Sequence, residues 1–165
     1  MLSTEQQQIW QRYCQTEGIP ANQIYDAFAF GGESPAQIDA LAELVCQGIK
    51  RGTASALALY EKDEALPKPG EYSLVLNHTG QIVALIQTTA VEFCQFRHID
   101  DQLAQIEGEG DKSLASWRKN HEEFFQPLFR EVLGRPFTEN DWILFEHFKL
   151  ITTDLENNKK TGQHS

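Results

Sequence analysis

A short polar stretch that follows an apolar helical run contains two residues able to do chemistry together. In residues 46–55, "CQGIKRGTAS", Lys50 and Thr53 lie three positions apart, with Gly48 and Gly52 beside them. A lysine in a partly desolvated cleft loses proton affinity and can act as a base near neutral pH, and a threonine hydroxyl close to it can act as a nucleophile. A structural alternative is that Lys50 offsets the negative end of the preceding helix dipole and Thr53 starts the next element. The spacing alone leaves both interpretations open.

Acidic residues alternate with glycines further along the chain. Glu107, Glu109 and Asp111 occupy every second position of "EGEGD", and the glycines allow a close backbone approach or a positive φ. Carboxylates this close together can bind a divalent cation, orient a water molecule or hold one acid with a raised pKa. A solvated acidic turn that caps the next helix explains the same pattern. The spacing of an EF-hand is absent, and we predict no metal and no cofactor.

The helix expected after this turn contains further candidates for ligand binding. Trp117 and His121 are four residues apart and share a face, and Arg118 lies next to Trp117. A tryptophan beside an arginine can stack on a nucleobase and hydrogen-bond to it, while Arg51 can contact a phosphate. The alternative is that Trp117 belongs to the core and that Arg118 pairs with Glu122.

Helix signals dominate the first part of the chain. Apolar residues at helical spacing predict a helix over about residues 4–16. A second helix is predicted to begin with Ser34 as its N-cap and Pro35 at its first position, and Gly48 is placed to end it in a left-handed conformation.

Strand signals mark the middle and the end of the chain. Alternating and β-branched residues around "NHTG" predict a hairpin over about residues 72–91, and "DWILFEHFKLITT" predicts a final strand. Between them we predict a short helix that fails at Gly108 and an amphipathic helix that begins near Ser113 and ends at Gly134. Because strands and helices do not alternate regularly, the pattern favours an α+β fold with a small mixed or antiparallel barrel.

Composition limits the partners of the protein. The formal net charge is -10, from 14 Lys and Arg against 24 Asp and Glu. A broad nonspecific RNA-binding surface is therefore not expected, but this net charge still allows a local basic cleft. The sequence as given has neither a secretory signal nor an apolar run long enough to span a membrane, and its three cysteines form no paired motif. We therefore expect a cytoplasmic protein with reduced thiols and no membrane partner. We expect an N-terminal helical extension (1–27), one folded domain (28–153) and a flexible C-terminal tail (154–165).

Several of these stretches together resemble the ASCH domain, a family related to the PUA superfamily of RNA-binding barrels. The resemblance runs from "FAFGG" through "LAELVCQGIKRGTAS", "LPKPGEYSLVL" and "IVALIQTTAVEFCQF" to "AQIEGEGDKSLASWRKNHEEFF" and "DWILFEHFKLI". It is closest to the standalone bacterial branch of the family. It implies a small PUA-like β-barrel with helices packed around it, and a cleft beside the barrel where the Gly-x-Lys turn faces the Glu-Gly segment.

The resemblance also implies a function and a set of residues for it. Members are expected to bind RNA or nucleotides, and a related bacterial branch removes the acetyl group from N(4)-acetylcytidine with a Lys, a Thr three residues later and a Glu in an Ala-x-x-Glu context. These positions correspond here to Lys50, Thr53 and Glu107, with Ala104 before the last. Another member is described as a ribonuclease acting from the same cleft. We therefore expect either an amidohydrolase for a small nucleoside-like ligand or an RNA-binding module or ribonuclease.

Overall fold

The computed structural model describes residues 2–31 and 34–155, which form four α-helices and five β-strands. In chain order the elements are α1 (Thr4–Glu17), β1 (Ile24–Phe28), α2 (Pro35–Cys46), β2 (Gly52–Ala56), β3 (Tyr72–Leu76), β4 (Ile82–Gln95), α3 (Asp101–Glu107), α4 (Leu114–Leu128) and β5 (Trp142–Thr152). A π-helical turn, Phe129–Leu133, continues α4.

The five strands form one mixed sheet in the order β1-β3-β4-β5-β2. Strand β1 pairs parallel with β3, and every other neighbouring pair is antiparallel. The α+β class and the mixed sheet predicted from the sequence are therefore confirmed. The register of β4 against β5 shifts twice, between Leu85 and Ile86 and between Thr88 and Ala90, and such bulges bend and twist a long strand.

Two short edge strands lie where the sequence analysis predicted none. Strand β1 falls mostly within residues 1–27, and it pairs with β3 up to Phe28 opposite Val75. Strand β2 begins two residues after Lys50 and pairs with β5. Both are only five residues long, and β2 reads "GTASA", without the branched or aromatic residues that mark strands in a sequence.

Both ends of the described chain pack against the sheet. Helix α1 buries Ile9 and Trp10 in a cluster that contains Leu74 of β3 and Leu85 of β4. Leu155, within the segment expected to form a flexible tail, is buried in the same cluster. The rest of that predicted tail, 156–165, lies outside the described residues.

The predicted helix ends have the expected local chemistry. The Ser34 hydroxyl accepts from the backbone N–H of Gln37, and Pro35 starts α2. Gly48 and Gly108 follow α2 and α3 with φ values of 73° and 74°, in the left-handed region that glycine enters without a Cβ clash. These two turns carry Lys50 and Glu109.

The two faces of β2 meet different surroundings. A Cβ on Gly52 would lie 2.7 Å from the ring of Phe145, and Ala54 and Ala56 pack in the cluster formed with α3 and α4. Because side chains alternate along a strand, Thr53 lies on the opposite face of the sheet. Strand β2 therefore separates the helical core from the residues that Thr53 faces.

Gly108 is expected to tolerate alanine much less well than another helix-ending glycine. A Cβ on Gly108 would lie 2.7 Å from the Ile49 carbonyl oxygen, whereas one on Gly134, which has a φ of 65°, would meet nothing within 4 Å. Gly134→Ala should cost about 1–2 kcal/mol of unfolding free energy from the left-handed backbone alone. Gly108→Ala should cost about 1–3 kcal/mol more because backbone must also move. Urea unfolding of both variants measures this, and equal losses would contradict it.

Candidate functional site

The turn between α2 and β2 places Lys50 against the end of α3. The backbone N–H groups of Ile49 and Lys50 both donate to the Leu44 carbonyl, which closes α2. The N–H of the next residue, Arg51, donates to the Ile106 carbonyl at 2.8 Å. This hydrogen bond joins the Lys50 turn to the acidic segment, which the sequence separates by more than fifty residues.

The ammonium group of Lys50 is buried and has three acceptors. Its Nζ donates to the Gly52 carbonyl at 2.9 Å, to Glu109 Oε1 at 2.8 Å and, more weakly, to the Glu107 carbonyl at 3.4 Å. The side chain has no exposed area, and its Nζ lies 5.0 Å from the centre of the Phe30 ring. Three acceptors match the three donors of an ammonium, so the charged form of Lys50 is fully hydrogen-bonded.

Glu107 is the buried carboxylate at the centre of the site. Its Oε1 lies 3.7 Å from Lys50 Nζ and accepts from the backbone N–H of Ala54 at 3.3 Å. His121 Nε2 lies 3.1 Å from the same oxygen, and the indole N–H of Trp117 donates to Oε2. The side chain is only 2% exposed, so these groups replace water around it.

A second hydrogen bond fixes the His121 ring. Its Nδ1 lies 2.8 Å from the Trp117 carbonyl oxygen, and the two rings stack with centroids 4.0 Å apart. Because a carbonyl oxygen and a carboxylate both accept, the arrangement favours the imidazolium form, which donates from both nitrogens.

Charge pairing outweighs burial in this cluster. Burial raises the pKa of Glu107, but the Lys50 ammonium and the His121 ring act in the opposite direction and leave that pKa below its ordinary value. Burial lowers the pKa of His121, yet the hydrogen bond and the charge of Glu107 raise it overall. The site thus holds two carboxylates, Glu107 and Glu109, against an ammonium and a histidine that favours its protonated form.

The same side chains contain a set of metal-ligand atoms. Glu107, Glu109 and His121 each offer one ligand atom within 4.8 Å of the others. The Lys50 ammonium hydrogen-bonds to Glu109 and lies 3.7 Å from Glu107. Lys50 therefore already provides these two carboxylates with a positive charge.

Thr53 lies in β2, three residues after Lys50. It is half-buried, and in the register of β2 against β5 it lies opposite Glu146. Its link to the lysine runs through the chain, since Lys50 Nζ donates to the carbonyl of the preceding residue, Gly52. The structure therefore brings Lys50, Glu107 and Glu109 into direct contact, and Thr53 directly follows the residue whose carbonyl accepts from Lys50.

The residues predicted to bind a substrate or RNA occupy different positions. Trp117 and His121 are buried supports of Glu107. Arg118 donates from one terminal nitrogen to the Arg97 and Ile99 carbonyls, which ties α4 to the segment before α3. Arg51 is exposed.

Arg51 lines a surface cavity on the outer side of the acidic turn. The cavity has a volume of about 650 Å³. It is lined by Gly48, Ile49, Arg51, Asp101, Gln105, Asp111, Lys112 and Ser113. Arg51 and Lys112 face two aspartates there, so the cavity carries no excess of positive charge.

Glu146 is a buried acidic residue that the sequence analysis did not single out. It lies in β5 within "ILFEHFKL", is 5% exposed, and accepts a 2.6 Å hydrogen bond from the Thr88 hydroxyl. A lone carboxylate inside an apolar strand is an available sequence signal, because acidic side chains are almost never fully buried without a partner.

Comparison with known proteins assigns the family. Residues 26–152 match the family model of the ASCH domain. The chain belongs to the ASCH domain family. A crystal structure of an ASCH domain from Lactobacillus crispatus JV V101 is 29% identical, with a TM-score of 0.76 over 87% of this chain and 94% of that one. A search of curated proteins gives no match.

A second solved structure supports the same fold. A protein from Enterococcus faecalis V583 is 28% identical, with a TM-score of 0.76 over 86% of this chain and 89% of that one. The PUA-like α+β fold expected of an ASCH domain is thus confirmed. In the described part of this ASCH domain protein, no helix is long and apolar enough to cross a membrane.

Removal of the central charge should destabilise this ASCH domain strongly. Glu107→Gln leaves Lys50 buried with one carboxylate fewer, and breaking a buried pair costs about 3–5 kcal/mol of unfolding free energy. Glu92→Gln is the control, because Glu92 is 50% exposed in its 2.6 Å pair with His147 and should contribute at most about 1 kcal/mol. Urea unfolding at pH 7 compares them.

The Glu107 effect should also depend on pH. Because its folded pKa is lowered, its stabilisation is present above the ordinary value of 4.5 and is lost as pH falls through the folded pKa. The difference between wild type and Glu107→Gln should therefore shrink in acid. Equal losses for Glu107→Gln and Glu92→Gln, or a difference that stays constant in acid, would contradict the ion cluster.

His121 should make stability fall at higher pH. Its pKa is raised in the folded state, so its contribution is complete below the ordinary value of 6.5 and is lost as pH rises through the folded value. His121→Gln keeps a donor toward Glu107 but cannot titrate, so its unfolding free energy should vary less between pH 6 and 9. His98→Gln, at an exposed position, serves as the control. A pH profile of His121→Gln that matches wild type would rule this role out.

Proposed function

We propose that this ASCH domain protein binds a small nucleoside-like ligand and hydrolyses the amide of an acylated nucleobase such as N(4)-acetylcytidine. The observation that carries this proposal is the buried Lys50 ammonium, bonded to Glu109 and to the carbonyl beside Thr53. An amine three residues before a half-buried hydroxyl supplies the two groups that a base-activated nucleophile requires.

In this scheme Glu109 accepts the proton that Lys50 must lose before it can act as a base. The Lys50–Glu109 contact is 2.8 Å, and the Glu109 side chain is 25% exposed whereas that of Glu107 is 2% exposed. Glu109 is thus the carboxylate of the pair that contacts solvent. Transfer of one proton from Lys50 to Glu109 leaves a neutral amine, which can accept a proton from Thr53 or from a water molecule that Thr53 orients.

The reaction then balances in two halves. The Thr53 oxygen attacks the acyl carbonyl while its proton passes to Lys50, and collapse of the tetrahedral intermediate breaks the C–N bond as Lys50 returns the proton to the leaving amine. Water then attacks the acyl-threonine while its proton passes to Lys50, and Lys50 returns that proton to the Thr53 oxygen as the ester C–O bond breaks and the carboxylic acid leaves. In the direct variant, water attacks in place of the Thr53 oxygen, its proton passes through Lys50 to the leaving amine as the C–N bond breaks, and no acyl-threonine forms.

Glu107 has a supporting role in this scheme. Four groups contact its carboxylate, and its pKa is lowered, so it remains ionised and holds the charge of Lys50 in place. Trp117 and His121 position Glu107, so their contribution is to orientation.

The RNA-binding or ribonuclease alternative has weaker support. Trp117 is 4% exposed and its indole N–H is used by Glu107, so it presents no free face to a base. The Arg118 guanidinium is held by backbone carbonyls, and Arg51 stands beside two aspartates. A small ligand requires only one favourable pocket, which suits a chain of net charge -10.

Hydrolysis of N(4)-acetylcytidine tests the enzyme directly. Purified protein should release cytidine and acetate, measured by chromatography. Lys50→Met and Thr53→Val should each reduce kcat by about a hundredfold or more, because each removes a group that transfers a proton or attacks the carbonyl. Thr53→Ser should retain activity.

Matched surface substitutions control for general effects. Lys119→Met and Thr89→Val change exposed residues of the same types and should leave turnover unchanged. Circular dichroism verifies folding of each variant. Absence of turnover by wild type, or turnover unaffected by Lys50→Met, would refute the hydrolase; tight RNA binding whose affinity falls steeply with salt would favour the alternative.

A further inference from the structure

A second polar cluster lies on the face of the sheet that Thr53 shares. We call Thr53, Ser73, Thr88 and Glu146 the inner polar face. Glu146 accepts from the Thr88 hydroxyl and stands opposite Thr53 in the pairing of β2 with β5. Two residues further along β5, on the same face, Phe148 packs in the cluster that continues this surface. The inner polar face is therefore one side of the sheet, and four strands, β2, β3, β4 and β5, contribute to it.

Ser73 adds an unsatisfied polar atom to this face. Because side chains alternate along β3, Ser73 lies on the opposite face of the sheet from Leu74 and on the same face as Val75. Val75 packs in the same cluster as Phe148. Ser73 is 1% exposed, and within residues 2–31 and 34–155 its hydroxyl has no hydrogen-bond partner. Buried hydroxyls are normally paired, so Ser73 adds a hydrogen-bonding group to this face that the described residues leave unused.

Two tyrosines, Tyr25 and Tyr60, lie near each other and near Glu146. Tyr25 belongs to edge strand β1, and Tyr60 follows edge strand β2, where its hydroxyl lies 2.9 Å from Ser55 Oγ. Burial is the main cause of the raised pKa of Tyr25, and the nearby Tyr60 and Glu146 raise this pKa further. Both rings are half-buried, so they form an accessible rim beside Glu146.

The surroundings of Glu146 favour its uncharged form. Burial raises the pKa of Glu146, the Thr88 hydrogen bond partly offsets this, and the charge of Glu71 raises it again. The titratable groups around it are tyrosines or acids: Tyr25 and Asp26 from β1, Tyr60 after β2, Glu71 before β3, and Glu64, which acts on both tyrosines. Strand β4 contributes Thr88 and Val91, which do not ionise.

We propose that Glu146, as a neutral carboxylic acid on the inner polar face, recognises the base edge of the ligand by donating one hydrogen bond and accepting another. This inference rests on the proposed function and assigns substrate specificity to a residue outside the Lys50 cluster. A protonated carboxyl offers an O–H donor and an acceptor side by side. That pair complements a planar edge with an adjacent acceptor and N–H, such as N3 and N4–H of cytosine.

An ionised Glu146 could not make this pair. A carboxylate only accepts, so it would leave the ring nitrogen without a donor and would lie close to the acceptor lone pair of the base. Affinity should therefore be highest at low pH and should fall as pH rises through the raised pKa of Glu146. Cytidine is a suitable probe, because it carries the edge but has no acyl group to hydrolyse.

Calorimetric titration of cytidine between pH 5 and 9 tests the assignment. Wild type should lose affinity about tenfold or more with rising pH, because two hydrogen bonds are at stake. Glu146→Gln keeps a donor and an acceptor, and it should bind without this pH dependence. Glu146→Met keeps the length but has neither group, and it should bind about tenfold more weakly at pH 5. Glu92→Gln, on an exposed part of β4, should behave as wild type.

An analogue separates recognition of the base edge from general packing. N4,N4-dimethylcytidine lacks the N–H, so Glu146→Met should change its affinity much less than it changes that of cytidine. Equal effects on both ligands, unchanged binding by Glu146→Met, or the same pH profile in wild type and Glu146→Gln would each overturn the proposal. If acetylcytidine turnover persists in that case, the proposed function stands alone. If wild type binds neither nucleoside and turns over no acetylcytidine, both fall.

Discussion

The burial of one lysine sets the arrangement of the whole site. Lys50 has no exposed area, and an ammonium taken out of water must be surrounded by acceptors and negative charge. Two carboxylates and two backbone carbonyls meet that need here, and they come from segments far apart in the sequence. The turn that ends α2 at Gly48 and the turn that ends α3 at Gly108 pack closely together, which lets the ion cluster form. They pack so closely that a Cβ on Gly108 would clash with the Ile49 carbonyl oxygen.

The cluster also explains why α4 buries the polar ring atoms of Trp117 and His121. Glu107 needs donors to remain ionised in the interior, and α4 supplies them from Trp117 and His121, four residues apart on one face. His121 is held in turn by the Trp117 carbonyl. A tryptophan and a histidine that read as ligand-binding residues in the sequence thus act as the structural support of a carboxylate. Their aromatic rings still belong to the core, where Trp117 packs against Phe96.

Two acidic environments adjoin strand β2. Lys50, just before the strand, is paired with Glu107 and Glu109, whereas Thr53 within it lies opposite Glu146, whose surroundings favour a neutral acid. Two glutamates in one small domain are therefore driven in opposite directions, one toward the charged form by cationic neighbours and one toward the uncharged form by burial and acidic neighbours. Groups with separated proton affinities in adjacent sites are typical of functional clefts.

The sequence by itself determined the local structure, because local structure depends on contacts between residues close together in the chain. This part includes the capped start of α2 at Ser34, the left-handed turns at Gly48 and Gly108, the central hairpin and the α+β class. It also indicated Lys50, Thr53 and Glu107 through a family resemblance. Only the tertiary structure decided that Glu109 is the direct partner of Lys50, that Trp117 is buried, and that Glu146 stands beside Thr53. These depend on the pairing of β2 with β5 and on the packing of α3 and α4, contacts between distant segments that no local pattern encodes.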